Sequence, residues 1–114
     1  MSDCLFCKIV AGEIPAELLY EDEYVIAFKD INPQAPMHNL VIPKKHISTI
    51  NDVTTEDDML MGKMFLAAKA LAKEAGLADE GYRTVMNCGK SAGQTVFHIH
   101  LHVLAGRNMK WPPG

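Results

Sequence analysis

The sequence predicts an α+β fold: an antiparallel five-stranded sheet with one long helix and a short N-terminal helix. Three observations predict it. Five segments carry strand patterning, and one long segment carries helical spacing. The order of elements leaves few of the crossovers that a parallel sheet requires. At 114 residues the chain is read as one domain, 1–114, since single cores run to roughly 100–150 residues before chains divide.

Each element has a local cause. Residues 4–11 (CLFCKIVA) carry helical spacing and stop at Gly12, a residue suited to ending a helix. Ile14-Pro15 forces extended backbone. Residues 18–20 and 24–28 read as two strands joined by the acidic turn Glu21-Asp22-Glu23. Residues 30–36 (DINPQAP) form a loop dense in turn formers. Residues 38–42 make a third strand, ended by Pro43. Thr54 or Thr55 caps the long helix, with Glu56, Asp57 and Asp58 at its positive N-terminal end. It runs to Ala75, Gly76 closes it, and Leu60, Met64, Ala67, Ala68 and Leu71 trace one apolar face. Residues 82–87 give a fourth strand and residues 89–95 (GKSAGQT) a small-residue loop. Residues 96–104 are the clearest strand of all.

Composition narrows the function. With 11 basic and 14 acidic side chains the net charge is 11 − 14 = −3, and no Lys/Arg run is present. The chain therefore offers no electrostatic footprint for nucleic acid or an anionic membrane. No apolar stretch approaches the ~18 residues of a membrane span. The opening Met1-Ser2-Asp3-Cys4 is acidic and lacks an apolar signal core, which points to a cytoplasmic protein. In a reducing compartment the Cys4-x-x-Cys7 pair is read as redox, metal-binding or buried. A thioredoxin-like pair would follow a strand inside a βαβ unit, which this one does not. Cys88 stands alone and reads as a small buried or half-buried residue.

Three of the five histidines fall in residues 96–104 (VFHIHLHVL). Strand alternation places His98, His100 and His102 on one face, about 7 Å apart, and Phe97, Ile99, Leu101 and Val103 on the other, toward the core. Thr, Lys or Glu would serve a merely solvated face better. Two chemical readings stand: a metal centre, or a row of acid/base and nucleophilic imidazoles. Immediately upstream, the backbone N–H groups of Gly89, Gly93, Gln94 and Thr95 form an expected anion-binding concavity.

The run His98-Ile99-His100-Leu101-His102-Val103-Leu104 matches the pattern His-φ-His-φ-His-φ-φ, with φ apolar. On this run, and on Glu13-Ile14-Pro15, residues 28–36, 40–47 and 93–107 and the terminal Trp111-Pro112-Pro113-Gly114, the chain resembles the histidine-triad (HIT) nucleotide-binding proteins of the Hint branch. The resemblance implies a nucleoside phosphoramidase acting on AMP-type or GMP-type P–N bonds, with a purine nucleotide as ligand and no organic cofactor. It implies His100 as nucleophile, His102 as phosphate contact and proton donor, and His38 and Thr95 in support. Asp30 would bind the ribose, Phe6, Ile14 and Ile31 the base, and Asn87, Gly93, Gln94 and Thr95 the phosphate oxygens. In other branches of the superfamily a structural zinc is held by residues matching Cys4, Cys7, His46 and His98, a set that suits tetrahedral Zn²⁺. Thr95 departs from the Ser common in animal members.

Rival readings are a dinucleoside polyphosphate hydrolase, as in the Fhit branch, a nucleotide-binding regulatory protein with incidental turnover, and a metallohydrolase using the triad as ligands. Against the second enzyme, only Lys90 and Arg107 supply cations near the motif. Met59, Met61 and Met64 widen the apolar girth of the long helix beyond one core face, which together with the resemblance implies a homodimer.

Overall fold

A computed structural model describes residues 3–114; Met1 and Ser2, where the acidic N-terminal stretch starts, lie outside the described residues. Tyr20–Glu21 (β1), Val25–Lys29 (β2), Met37–Pro43 (β3), Tyr82–Val85 (β4) and Leu101–Ala105 (β5) pair antiparallel in the order β1-β2-β3-β5-β4. Two helices complete the fold, Leu5–Val10 (α1) and Asp58–Glu74 (α2). The predicted α+β class, the five-stranded antiparallel sheet and both helices are all present.

Strand alternation divides the core into two layers. Val25, Ala27, Val41, Leu101 and Val103 face the α2 stripe of Leu60, Met64, Ala67, Ala68 and Leu71. The opposite face carries Ile26, Phe28, Leu40 and Ile42, covered by Phe6 of α1. All seven residues of β3 are buried, as a strand covered on both faces must be. Thr54 caps the turn Thr55–Asp57 that leads into α2 through a reciprocal bond with Asp57, and Gly76 (φ +74°) follows the helix.

The main departure from the sequence reading concerns residues 96–104, whose ladder begins only at Leu101. The last matched pair of β3 and β5 is Val41↔Leu101. Two residues further along β3 lies Pro43, which has no N–H to extend the ladder. Instead, the Ile99 N–H donates to the Ile47 carbonyl at 2.8 Å, beyond the end of β3. Ile99, Leu101 and Val103 enter the core as expected, but Phe97 is 46% exposed, because strict alternation does not hold outside the ladder. Likewise β1 is two residues long, and β4 stops at Val85 instead of Asn87.

Candidate active site

Register brings the imidazoles together. His102 pairs with Leu40 on one side and Val85 on the other. His38, two residues from Leu40 on the same face, is the diagonal neighbour of His102. The His38 Nε2 to His102 Nδ1 distance is 2.9 Å, and the His100 and His102 ring centroids are 5.1 Å apart.

Main-chain partners determine which nitrogen of each ring carries hydrogen. A carbonyl can only accept, and a backbone N–H can only donate. His100 therefore donates Nδ1–H to the His98 carbonyl (2.8 Å), which leaves the Nε2 lone pair free. His38 Nδ1 accepts the Gln34 N–H (3.0 Å), so its hydrogen sits on Nε2 and is donated to His102 Nδ1. His102 consequently carries its hydrogen on Nε2. Two adjacent rings thus present complementary edges, a lone pair on His100 and an N–H on His102. Burial, with the nearby His100 and His38 imidazoles, lowers the His102 pKa to about 4 against the opposing pull of Asp30.

Both rings line a cavity of about 600 Å³ whose walls also include Phe6, Ile14, Asp30, Ile31, Asn87, Gly93 and Thr95. Phe6 stands edge-on to His100 (5.2 Å, 87°), and Ile31 is fully exposed at the mouth. Asp30 Oδ2 lies 3.4 Å from His38 Nε2 and 3.9 Å from His102 Nδ1, while Oδ1 accepts the Asn32 N–H. Gln94 behaves differently from expectation. It is buried and outside the cavity lining, and its side chain accepts from Gly89 N–H and donates to the Ser48 and Val96 carbonyls. The N–H groups of Gly93 and Gln94 close the turn onto Lys90 and Gly89 carbonyls, so they do not form the expected anion concavity. Sequence reasoning missed Phe28 and Leu40, which line the cavity floor. Leu40 shares the His38 face two residues along β3, which was the available signal, and Phe28 reaches the same face by pairing with Leu40.

A second cluster lies beside the first. Cys4, Cys7, His46 and His98 each bring a donor atom to within 4.8 Å of all the others. Cys4 Sγ and Cys7 Sγ lie 3.4 and 3.6 Å from His98 Nδ1, Cys7 Sγ lies 3.2 Å from His46 Nδ1, and the two Nδ1 atoms are 3.3 Å apart. With Zn–S about 2.3 Å and Zn–N about 2.0–2.1 Å, the edges of a tetrahedral zinc site are roughly 3.3–3.8 Å. His98 Nε2–H donates to the Pro43 carbonyl (2.8 Å), aiming the Nδ1 lone pair at the cluster, the outer-shell bond typical of a metal-ligating histidine. Burial and the neighbouring Cys4 raise the Cys7 thiol pKa, so a cation binding here must displace protons. This group can hold a metal such as zinc. Asp30, His38 and His102 also gather three donors, but the Nε2 hydrogen of His38 leaves no lone pair there for an ion.

Residues 11–109 match the HIT domain family. The crystal structure of a HIT family hydrolase from Legionella pneumophila is 56% identical, covers 98% of this chain and 100% of that one, and superposes with a TM-score of 0.96. A histidine triad nucleotide-binding protein from Candida albicans is 33% identical over 96% of this chain and 83% of its own, with a TM-score of 0.82. An uncharacterized HIT-like protein of Synechococcus elongatus is 51% identical over 112 residues, 98% of this chain and 97% of that protein.

Proposed function

The chain belongs to the HIT domain family, and on that premise we propose that it is a purine nucleoside phosphoramidase of the Hint branch. One observation carries the reading: the complementary Nε2 edges of His100 and His102 at the wall of a nucleotide-sized cavity. A P–N bond needs a nucleophile at phosphorus and a proton for the departing nitrogen, and the two rings supply one each.

The His100 Nε2 lone pair attacks the α-phosphorus as the P–N bond breaks, giving a nucleotidyl-histidine whose Nδ1–H stays on the His98 carbonyl. In the free protein His102 is neutral at pH 7. The phosphoryl anion of the substrate adjoins its ring and favours the charged form, so proton uptake accompanies binding. Asp30 Oδ2 is placed to take both the His102 Nδ1–H and the His38 Nε2–H. His102 then gives its Nε2 proton to the amine. Water attacks the intermediate, returns a proton to His102 and restores His100. Asn87 and Thr95 hold phosphate oxygens, Asp30 the ribose hydroxyls, and Phe6, Ile14 and Ile31 the base. Gln94 braces the loop from behind.

Zinc fills the Cys4–Cys7–His46–His98 cluster in this reading. A second copy of the chain covers the exposed Met59, Phe65 and Leu66 of α2. The experiment is turnover of an AMP–amine conjugate by the wild type and by His100→Ala. Loss of hydrolysis with retained nucleotide binding supports the reading. Activity within about tenfold of wild type, some 1.4 kcal/mol in barrier, removes His100 as nucleophile.

A further inference from the structure

His98 serves two sites at once. Its ring belongs to the thiol–imidazole cluster, while its main-chain carbonyl accepts the Nδ1–H of His100 at 2.8 Å. The segment that carries it lies outside the sheet ladder, which begins at Leu101. Between Val96 and His100 the backbone ties are Ile99 N–H to the Ile47 carbonyl and the Val96 carbonyl to the Gln94 side chain. The peptide that fixes the nucleophile is therefore held on one side by the Ile99 N–H and its buried side chain, and on the other by the His98 ring.

A second route runs through α1. Cys4 and Cys7 flank Phe6, and Cys4 Sγ also accepts the Cys7 N–H at 3.3 Å, capping the helix. The Phe6 ring stands edge-on to both His100 (5.2 Å) and His98 (5.9 Å). Two of the contacts that pose His100, one carbonyl and one aromatic edge, thus hang on residues of the four-donor cluster and the helix it caps, while the His102 ring stands 5.1 Å away on the other side. Four metal–ligand bonds fix those donors far more tightly than thiol–imidazole contacts of 3.2–3.6 Å can.

We propose that the Cys4–Cys7–His46–His98 cluster is a positioning site for the nucleophile: a soft divalent cation held there locks the His98 peptide and α1, and thereby keeps His100 in its Nδ1–H form with Nε2 toward the cavity. The kinetic meaning of this rests on His100 being the nucleophile; the structural coupling does not. His98, Cys4 and Cys7 act through His100 and touch no substrate.

The test uses the full chain, labelled with ¹⁵N at histidine, either loaded with one equivalent of Zn²⁺ or stripped by a chelator under reducing conditions. Long-range ¹H–¹⁵N spectra without substrate read the His100 tautomer directly. The loaded chain should show the Nδ1–H pattern. Stripping should lower the Nδ1–H to Nε2–H ratio about fivefold, the population change one net hydrogen bond commands. AMP–amine turnover should fall in kcat more than it rises in KM. An unchanged His100 pattern on stripping overturns the proposal. Should stripping unfold the chain, His46→Ala decides, because His46 is an exposed ligand outside the hydrophobic core. A lowered Nδ1–H share in that variant with zinc present supports the coupling, and an unchanged share rejects it. A tautomer response without any P–N turnover would keep the positioning role and remove the phosphoramidase reading. Turnover without a response would do the reverse.

Discussion

The neutral state of His102 makes folding stability depend on pH in a defined window. The His102 pKa falls from an ordinary 6.5 to about 4 on folding. Above pH 6.5 the ring is neutral in both states, and its full contribution to stability is present. As the pH falls from 6.5 toward 4, the unfolded chain binds a proton that the folded chain refuses, and stability is lost. Below 4 both states are protonated and the slope ends. At 1.36 kcal/mol per unit the ceiling is about 3 kcal/mol, and the His102 side chain retains 19% of its exposure. After solvent screening, about 1–3 kcal/mol is expected. Urea unfolding at fixed pH values between 7.5 and 4, for the wild type and His102→Asn, isolates the effect. Asn keeps an acceptor for the His38 N–H, and titrations common to both proteins, including those of the cysteine cluster, cancel in the difference. The wild type should lose about 1–3 kcal/mol more than the variant on acidification. Parallel curves, with a difference constant to about 0.5 kcal/mol, would refute the reasoning.

The same ring gives a binding signature: AMP binding near pH 5.5 should be accompanied by net proton uptake, read by calorimetry in buffers of different ionisation enthalpy, and the uptake should vanish in His102→Asn. Gln94→Leu leaves the Gly89 N–H and the Ser48 carbonyl without partners, so thermal unfolding should show a loss of about 2–4 kcal/mol. Gly106→Ala should cost about 1–3 kcal/mol in the same assay, because φ is +97° and the new Cβ would stand 2.9 Å from Pro36 Cβ.

What could be read in advance divides along a physical line. Periodicity found the α2 stripe from Leu60 to Leu71 and the two glycine-ended helices, because side-chain burial writes itself into residue type. It overextended β5, since alternation in one strand carries no information about the partner, and the limit came from Pro43 on β3. Phe97 was misplaced for the same reason. At the site, the identities of the histidines were legible but their protonation pattern was not. That pattern is set by the Pro43 and His98 carbonyls and the Gln34 N–H, main-chain groups whose placement leaves no mark on residue type. Gln94 shows the converse: a polar residue just before the histidine row invites a ligand role, and its side chain is spent on bracing two loops.

Electrostatics separates the two hydrolytic readings further. A dinucleoside polyphosphate loses a multiply charged group, which needs cations to receive it, whereas a phosphoramidate loses an amine, which needs a proton. The charged residues lining the cavity are Glu17, Asp30 and Lys29, two carboxylates against one ammonium. Lys90 is not among them. The Arg107 guanidinium is tied to the Gln34 and Asn108 carbonyls at 2.9 and 3.1 Å, and it too stands outside the lining. Between those walls, in the free protein, His100 offers a lone pair and His102 a neutral N–H. A departing polyphosphate would meet carboxylate repulsion in a partly desolvated cavity, where unpaired charge is costly. A departing amine, once it has taken its proton through His102, leaves without a charge to stabilise. The Arg107 side chain instead anchors Gln34, the residue whose N–H fixes the His38 tautomer.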